Sequence, residues 1–132
     1  MANERSEPAG GRTILAVDDE ADLLEAVRRI LSRLGHRVIA AGGPAQAMEL
    51  RMGHSGDIDL LLTDVRMPGG TGTDLAHQLC QLQPGLPVLF MSGLYDIPGT
   101  ELSGPVQVVA KPFTPTSLAE AVDHALLAKA GH

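Results

Sequence analysis

The chain has 132 residues, a length typical of one compact domain, and 44% of them are hydrophobic whereas 2% are aromatic. The core must therefore be built from aliphatic side chains and methionine. The net charge of −6 argues against sequence-independent binding of nucleic acid, which needs a basic surface. The single cysteine, Cys80, excludes an internal disulfide, and no apolar run approaches the ~18 residues of a membrane span. We expect a cytoplasmic protein that does not insert into a membrane.

Residues 1–12 are polar and lack the apolar segment of a signal peptide, so we expect a flexible tail there and a single domain over 13–130. Short β-type runs then alternate with stretches of helical periodicity. The predicted strands are 13–17, 36–41, 58–64, 87–92 and 106–110. The predicted helices are 19–35 with Gly35 as the stop, 44–52, 72–83, and 114–130 with Thr114 as N-cap and Pro115 at its first position.

This alternation predicts an α/β fold in which helices cover both faces of a parallel sheet. The run 58–64 is apolar at successive positions, as expected for a strand buried on both faces. The segment 93–105, "GLYDIPGTELSGP", has room for a short helix at most. In such sheets ligands bind at the carboxyl ends of the strands, so the residues at those ends are the candidates for a functional site.

Charged and polar residues follow four of the five predicted strands. Asp18-Asp19-Glu20 follow the first strand, Asp64 ends the third, Ser92 ends the fourth, and Lys111 follows the fifth. Neighbouring carboxylates raise one another's pKa, and a divalent cation relieves their repulsion. Oxygen ligands without His or Cys favour Mg²⁺. An aspartate beside Mg²⁺ and a lysine is a plausible nucleophile toward phosphorus, which would give an aspartyl phosphate.

Four segments in order carry a family resemblance: "ILAVDDE" (14–20), "LLTDVRMPGGTG" (61–72), "PVLFMSG" (87–93) and "AKPF" (110–113). With them the chain resembles the CheY-like receiver domain of two-component response regulators, of the type also found attached to hybrid histidine kinases. The resemblance implies a flavodoxin-like (βα)5 doubly wound sheet with strand order 2-1-3-4-5, here with a shortened fourth helix.

The resemblance also implies a role for each matched residue. Asp64 would be the phosphoacceptor, and Lys111 would pair with Asp64 or with the phosphoryl group. Asp19 would bind Mg²⁺ directly, Asp18 mostly through water, and the backbone carbonyl of Arg66 would complete the protein ligands.

The resemblance further implies that Ser92 swings toward the phosphoryl group and carries the conformational signal. The Lys111-Pro112 peptide would be cis. Many receivers carry an aromatic switch residue three positions before the lysine, where this chain has Val108; Tyr95 is a candidate substitute. Arg66 and Leu94 flank the site, at positions that tune phosphoryl lifetime in the family.

The phosphoryl donor implied by this resemblance is a sensor or hybrid histidine kinase, or a histidine phosphotransfer protein. The domain would catalyse its own phosphorylation and slow hydrolysis, and its purpose would be signalling rather than enzymatic turnover. Because the sequence ends shortly after the last helix, we expect output through a protein contact, a phosphorelay step or competition for a kinase's phosphoryl groups.

Two other functions stay open. An aspartyl-phosphate phosphatase of the haloacid dehalogenase type needs a second acid two positions after its nucleophile, where this chain has Arg66. A receiver-like interaction module would work without phosphorylation. Bland interpretations of single residues also exist: Asp18 and Asp19 as helix caps, Asp64 as a turn residue, Ser92 as a turn serine and Lys111 as a solvated lysine.

Residues outside these segments suggest no further site. We predict a surface position for His77, core packing for Cys80, a packing anchor in Phe113, and a loop-shaping role for the glycines at 69, 70 and 72.

Overall fold

The computed structural model describes residues 11–93 and 102–130. For residues 129 and 130 it describes the backbone alone. Seven strands occur in this part: β1 (Thr13–Val17), β2 (Arg37–Ala41), β3 (Leu60–Asp64), β4 (Arg66–Met67), β5 (Gly70–Thr71), β6 (Val88–Ser92) and β7 (Val106–Ala110). The helices are α1 (Ala21–Arg33), α2 (Pro44–Gly53), α3 (Gly72–Leu82) and α4 (Pro115–Ala130).

Five strands form one parallel sheet in the order β2-β1-β3-β6-β7. These are the five predicted strands, and their order along the sheet is the predicted 2-1-3-4-5. The flavodoxin-like doubly wound fold is therefore confirmed. The expected short fourth helix falls mainly on 94–101, outside the described residues.

The remaining two strands form a short antiparallel hairpin, in which Arg66 pairs with Thr71 and Met67 with Gly70. The sequence predicts a loop shaped by glycines over this stretch, and the structure corrects that prediction to a short hairpin. Gly69 adopts a φ of +88° at the turn, a backbone region open to glycine at little steric cost. The hairpin connects the end of β3 to the start of α3.

The predicted end of α1 at Gly35 and the predicted N-cap of α4 at Thr114 are both confirmed. Gly35 has a φ of +93°, and its N–H donates to the Ser32 carbonyl while that of His36 donates to Leu31. This pair of hydrogen bonds is the Schellman motif that stops a helix at glycine. At the start of α4, the Thr114 hydroxyl accepts the Ser117 N–H at 3.0 Å, and the Ser117 hydroxyl accepts the Thr114 N–H at 2.9 Å.

Two hydrophobic clusters lie on opposite faces of the sheet, and successive residues of β3 alternate between them. Leu61 packs with Leu75 and Leu79 of α3, whereas Leu60 and Leu62 pack with residues of α1 and α4. This confirms the prediction of a strand buried on both faces.

The predicted positions of three other side chains are also confirmed. Cys80 is buried, Phe113 is half-buried against the cluster beneath α1 and α4, and His77 is exposed. No helix in the described ranges has both the length and the apolar character needed to cross a bilayer.

Candidate functional site

Four strand ends meet at one edge of the sheet. Because β1, β3, β6 and β7 are parallel and adjacent, their carboxyl ends bring Asp18, Asp64, Ser92 and Lys111 to the same edge. These residues lie up to 93 positions apart in the sequence. The convergence predicted from the strand ends is therefore present.

Asp18 is the most deeply buried charged group of this edge, with an exposed fraction of 0%. One carboxylate oxygen, Oδ1, accepts the backbone N–H of Glu20 at 2.8 Å, and the other, Oδ2, accepts Lys111 Nζ at 3.0 Å. Glu20, rather than Asp18 or Asp19, is the N-cap residue of α1. A capping role therefore accounts for one oxygen of Asp18 at most, and the ion pair accounts for the other.

The Lys111 ammonium lies among three carboxylates. Its Nζ is 3.0 Å from Asp18 Oδ2, 3.3 Å from Asp64 Oδ2 and 3.7 Å from Glu20 Oε1. Burial by itself lowers the pKa of Lys111, but the hydrogen bond to Asp18 and the charges of Asp18 and Asp64 outweigh burial and raise that pKa. The ammonium is therefore held in its charged form, and the solvated interpretation of Lys111 is wrong.

The Asp64 side chain is 14% exposed, so it is partly accessible from solvent. Its Oδ1 accepts the Val65 N–H at 2.8 Å. Burial raises the pKa of Asp64; the Lys111 charge opposes this shift, and the Asp18 charge adds to it. The single positive charge of Lys111 therefore does not neutralise the three carboxylates around it.

Asp18, Asp19 and Asp64 can each direct one carboxylate oxygen to a common point, since these oxygens lie within 4.8 Å of one another. Asp18 is buried, Asp64 is intermediate and Asp19 is exposed. A set of oxygen ligands that is open to solvent on one side suits Mg²⁺, which keeps several of its waters when bound. The donor set therefore fits the predicted cation.

Ser92 and Arg66 complete the predicted set. Ser92 is 3% exposed, its hydroxyl donates to the Gly93 carbonyl at 3.0 Å, and its own carbonyl accepts the Lys111 N–H at 2.8 Å. Arg66 is exposed on β4, two residues after Asp64. The Lys111-Pro112 peptide is cis, as the resemblance implied.

Gly72 has a positioning role beyond the loop-shaping role predicted from the sequence. A Cβ at this glycine would lie 2.0 Å from the Asp64 carbonyl oxygen and 3.1 Å from Thr63 Cγ2. The Gly72 N–H donates to the Val65 carbonyl at 2.7 Å. The start of α3 is thus packed directly on the backbone of Asp64. A glycine at the first position of a predicted helix, where its freedom lowers helix stability, was the signal available in the sequence.

Val108 occupies the position of the aromatic switch and is 50% exposed on the edge strand β7. The candidate substitute Tyr95 and the flanking residue Leu94 lie outside the described residues.

Comparison with known proteins agrees with this geometry. The family described as response regulator receiver domain matches residues 14–123. The putative two-component response regulator ARR21 of Arabidopsis thaliana is 35% identical over 114 residues, which are 86% of this chain and 19% of that protein. The DNA-binding transcriptional regulator NtrC of Rhizobium meliloti is 35% identical over 120 residues, 88% of this chain and 24% of that regulator. The chain thus spans about a fifth to a quarter of these two relatives.

Solved structures of receiver domains also match this chain. The receiver domain of the hybrid histidine kinase CckA matches with a TM-score of 0.74 and 31% identity, over 86% of this chain and 98% of that domain. A response regulator receiver domain protein of Clostridium thermocellum matches with a TM-score of 0.79 and 25% identity, over 90% of this chain and 97% of that one. The chain belongs to the receiver domain family of two-component response regulators.

Proposed function

We propose that this receiver domain takes a phosphoryl group from a phosphohistidine onto Asp64 and signals through the resulting change of conformation. The observation that carries the proposal is the position of Asp64, a partly exposed carboxylate whose Oδ2 lies 3.3 Å from a lysine that also holds the buried Asp18. Phosphoryl transfer depends on positioning and on charge stabilisation more than on a general base.

Asp64 acts as the nucleophile. A carboxylate oxygen attacks phosphorus, the bond between phosphorus and the donor's imidazole nitrogen breaks, and its electron pair stays on that nitrogen. The Val65 N–H on Oδ1 and the Lys111 ammonium near Oδ2 fix the orientation of the carboxylate and favour its charged form. After transfer, Lys111 is close enough to hold a phosphoryl oxygen.

Asp18, Asp19 and Asp64, together with the backbone carbonyl of Arg66, would hold Mg²⁺, which neutralises charge on the phosphoryl oxygens when bound. The excess of carboxylates over ammonium groups at this edge supports that assignment. Without a cation the same carboxylates would repel an anionic donor.

The phosphoryl group brings close to two negative charges and three acceptor oxygens to the site. Ser92 is the candidate donor to one of these oxygens, in exchange for its hydrogen bond to the Gly93 carbonyl. A hybrid or sensor histidine kinase, or a histidine phosphotransfer protein, is the proposed donor. The 31% identity with a receiver from a hybrid histidine kinase supports such a partner.

Intact mass after incubation with a small phosphodonor, with and without Mg²⁺, tests the proposal. We expect one labile phosphoryl group on the wild type, dependent on Mg²⁺ and absent from Asp64→Asn. Asp74→Asn is the matched control, since this exposed aspartate of α3 lies outside the carboxylate cluster; it should be labelled like the wild type.

Labelling of Asp64→Asn at the wild-type level would refute Asp64 as the phosphoacceptor. No labelling of the wild type by a small phosphodonor or by a phosphorylated histidine phosphotransfer protein would favour the interaction module. Continuous release of phosphate from added phosphate esters would favour the phosphatase.

A further inference from the structure

Glu20 is the N-cap residue of α1, yet its side chain makes no capping hydrogen bond. Glutamate is not among the residue types that favour this position, which are serine, threonine, aspartate and asparagine. At the starts of α3 and α4, by contrast, the hydroxyls of Thr71 and Thr114 do accept capping hydrogen bonds. Helix capping therefore does not account for a glutamate at position 20.

The Glu20 carboxylate lies beside the functional site. Its Oε1 is 3.7 Å from Lys111 Nζ, and the side chain is 66% exposed. Glu20 and Lys111 are the charged residues of a cleft of about 300 Å³, and the remaining lining residues are the apolar Leu23, Pro112 and Phe113. The Lys111 ammonium therefore borders an open cleft in which Glu20 is the acidic residue.

Glu20 does not belong to the carboxylates that fit the cation. That set consists of Asp18, Asp19 and Asp64, whose oxygens lie within 4.8 Å of one another. Mg²⁺ held there would offset the charge of its own ligands, and the Glu20 carboxylate would stay outside the ligand set. Its negative charge would therefore remain at the edge of the site when the cation is bound.

We infer that Glu20 is a specificity-determining residue that disfavours small, strongly anionic phosphodonors. This role rests on the proposed function, in which Lys111 holds a phosphoryl oxygen. An oxygen hydrogen-bonded to Lys111 Nζ at about 3 Å lies within about 7 Å of Glu20 Oε1, which is 3.7 Å from the same nitrogen. At that separation the Glu20 charge repels each negative charge of the donor.

The size of the repulsion follows from Coulomb's law. Because the Glu20 side chain is mostly exposed, a water-like dielectric applies, and two unit charges about 7 Å apart then change a rate about threefold. A dianionic donor should therefore be slowed about ninefold and a monoanionic donor about threefold. Docking brings a protein-bound phosphohistidine to Asp64 at a high effective concentration, which outweighs a factor of this size. Glu20 thus favours protein donors over small acyl phosphates.

Labelling rates with two donors of different charge test this role, at saturating Mg²⁺ and about 0.05 M ionic strength. At pH 7 acetyl phosphate is a dianion and phosphoramidate a monoanion. With either donor a carboxylate oxygen of Asp64 bonds to phosphorus; acetate leaves with the P–O electron pair, or ammonia leaves with the P–N pair. We expect Glu20→Gln, which keeps the side-chain shape, to raise the second-order rate constant about ninefold with acetyl phosphate and about threefold with phosphoramidate. Both gains should shrink at about 1 M salt.

Asp22→Asn is the matched control, because this exposed acid in the first turn of α1 loses the same charge and is not one of the three carboxylates around Lys111. It should change both rate constants much less. Glu20→Asp keeps the charge and should retain most of the wild-type preference. Arg66 and the other charges near the site are the same in every variant, so the difference between donors reports on position 20.

Mg²⁺ binding, measured by calorimetry without a donor, separates a charge effect from a structural defect. The Glu20 charge attracts a cation and repels an anion, so Glu20→Gln should weaken Mg²⁺ binding while it speeds labelling. A structural defect would weaken both, and thermal unfolding should show that all three variants fold.

Equal gains with the two donors, a gain in Asp22→Asn equal to that in Glu20→Gln, or tighter Mg²⁺ binding by Glu20→Gln would each overturn the role of Glu20. Unchanged labelling of Glu20→Gln beside a labelled wild type would refute this role alone. A wild type labelled by neither small donor nor a phosphorylated histidine phosphotransfer protein would refute the proposed function as well.

Discussion

Replacement of Gly72 by alanine tests whether the first residue of α3 holds the phosphoacceptor backbone in place. The added Cβ would lie 2.0 Å from the Asp64 carbonyl oxygen and 3.0 Å from its carbonyl carbon, whereas ordinary contact begins at 3.4 Å. The oxygen and Cβ must therefore separate by about 1.4 Å. The two closest atoms belong to the backbone, so no rotation of a flexible side chain relieves the contact.

Overpacking of this kind costs about 1–3 kcal/mol, and a backbone obstacle favours the upper end of that range. Alanine returns up to about 1 kcal/mol through its higher helix propensity. We expect a net loss of about 2 kcal/mol in the free energy of unfolding. For a domain of this size that corresponds to a fall in Tm of about 6–10 °C. Displacement of Asp64 by about 1 Å should slow phosphorylation about 100-fold.

Thermal unfolding and the rate of labelling by a small phosphodonor measure both effects. Gly53→Ala is the control, because this glycine also lies in a helix and an added Cβ would meet no atom within 4 Å. It should be neutral or slightly stabilising. If Gly72→Ala were as stable as Gly53→Ala and were labelled at the wild-type rate, the inferred contact between α3 and the Asp64 carbonyl would be wrong.

Three further predictions concern the site and the last helix. Asp64→Asn should raise Tm at pH 7 in the presence of a metal chelator, because the pKa of Asp64 is raised above 3.8 and its charged form is disfavoured by folding. The gain should fade as the pH falls through the raised pKa and vanish below 3.8; a gain that grows on acidification would contradict the shift. Thr114→Ala should lower the free energy of unfolding by about 1 kcal/mol through loss of the N-cap of α4. Thr116→Ala, exposed in the first turn of α4, should change it much less. Equal effects of the two substitutions would disprove the capping role of Thr114. Arg66→Ala and Leu94→Ala should change the rate of dephosphorylation at position 64, followed by intact mass over time, and unchanged rates in both would exclude these residues as determinants of phosphoryl lifetime.

Features determined by neighbouring residues could be predicted from the sequence. Gly35 ended α1 and Thr114 capped α4, because both signals act through hydrogen bonds between residues three to five positions apart. The alternation of strand and helix predicted a parallel sheet covered by helices on both faces, and the apolar residues at successive positions of β3 predicted burial of that strand on both faces. Because the carboxyl ends of parallel strands lie at the same edge of a sheet, the residues that follow the strands could be predicted to form the candidate site.

The sequence did not predict the β4–β5 hairpin. Its strands are two residues each, too short for alternation of apolar and polar residues to give a signal. The sequence did assign a loop-shaping role to Gly72, but it could not identify the atoms that this glycine must avoid. Those atoms belong to Asp64, eight positions earlier, and their closeness depends on how α3 packs against the end of β3.

The partners of each charged group were decided by the tertiary structure. Lys111 was expected to pair with Asp64 or with the phosphoryl group. Among its three carboxylate contacts the shortest is with the buried Asp18, 93 residues earlier in the sequence. The same packing sets the direction in which the pKa values of Asp64 and Lys111 shift, because burial and the separation of charges exist only once the strands are assembled. The residues that reach the carboxyl edge of the sheet follow from the order of strands along the chain. Their distances and the direction of their pKa shifts depend on contacts between segments far apart in the sequence, so they exist only in the folded chain.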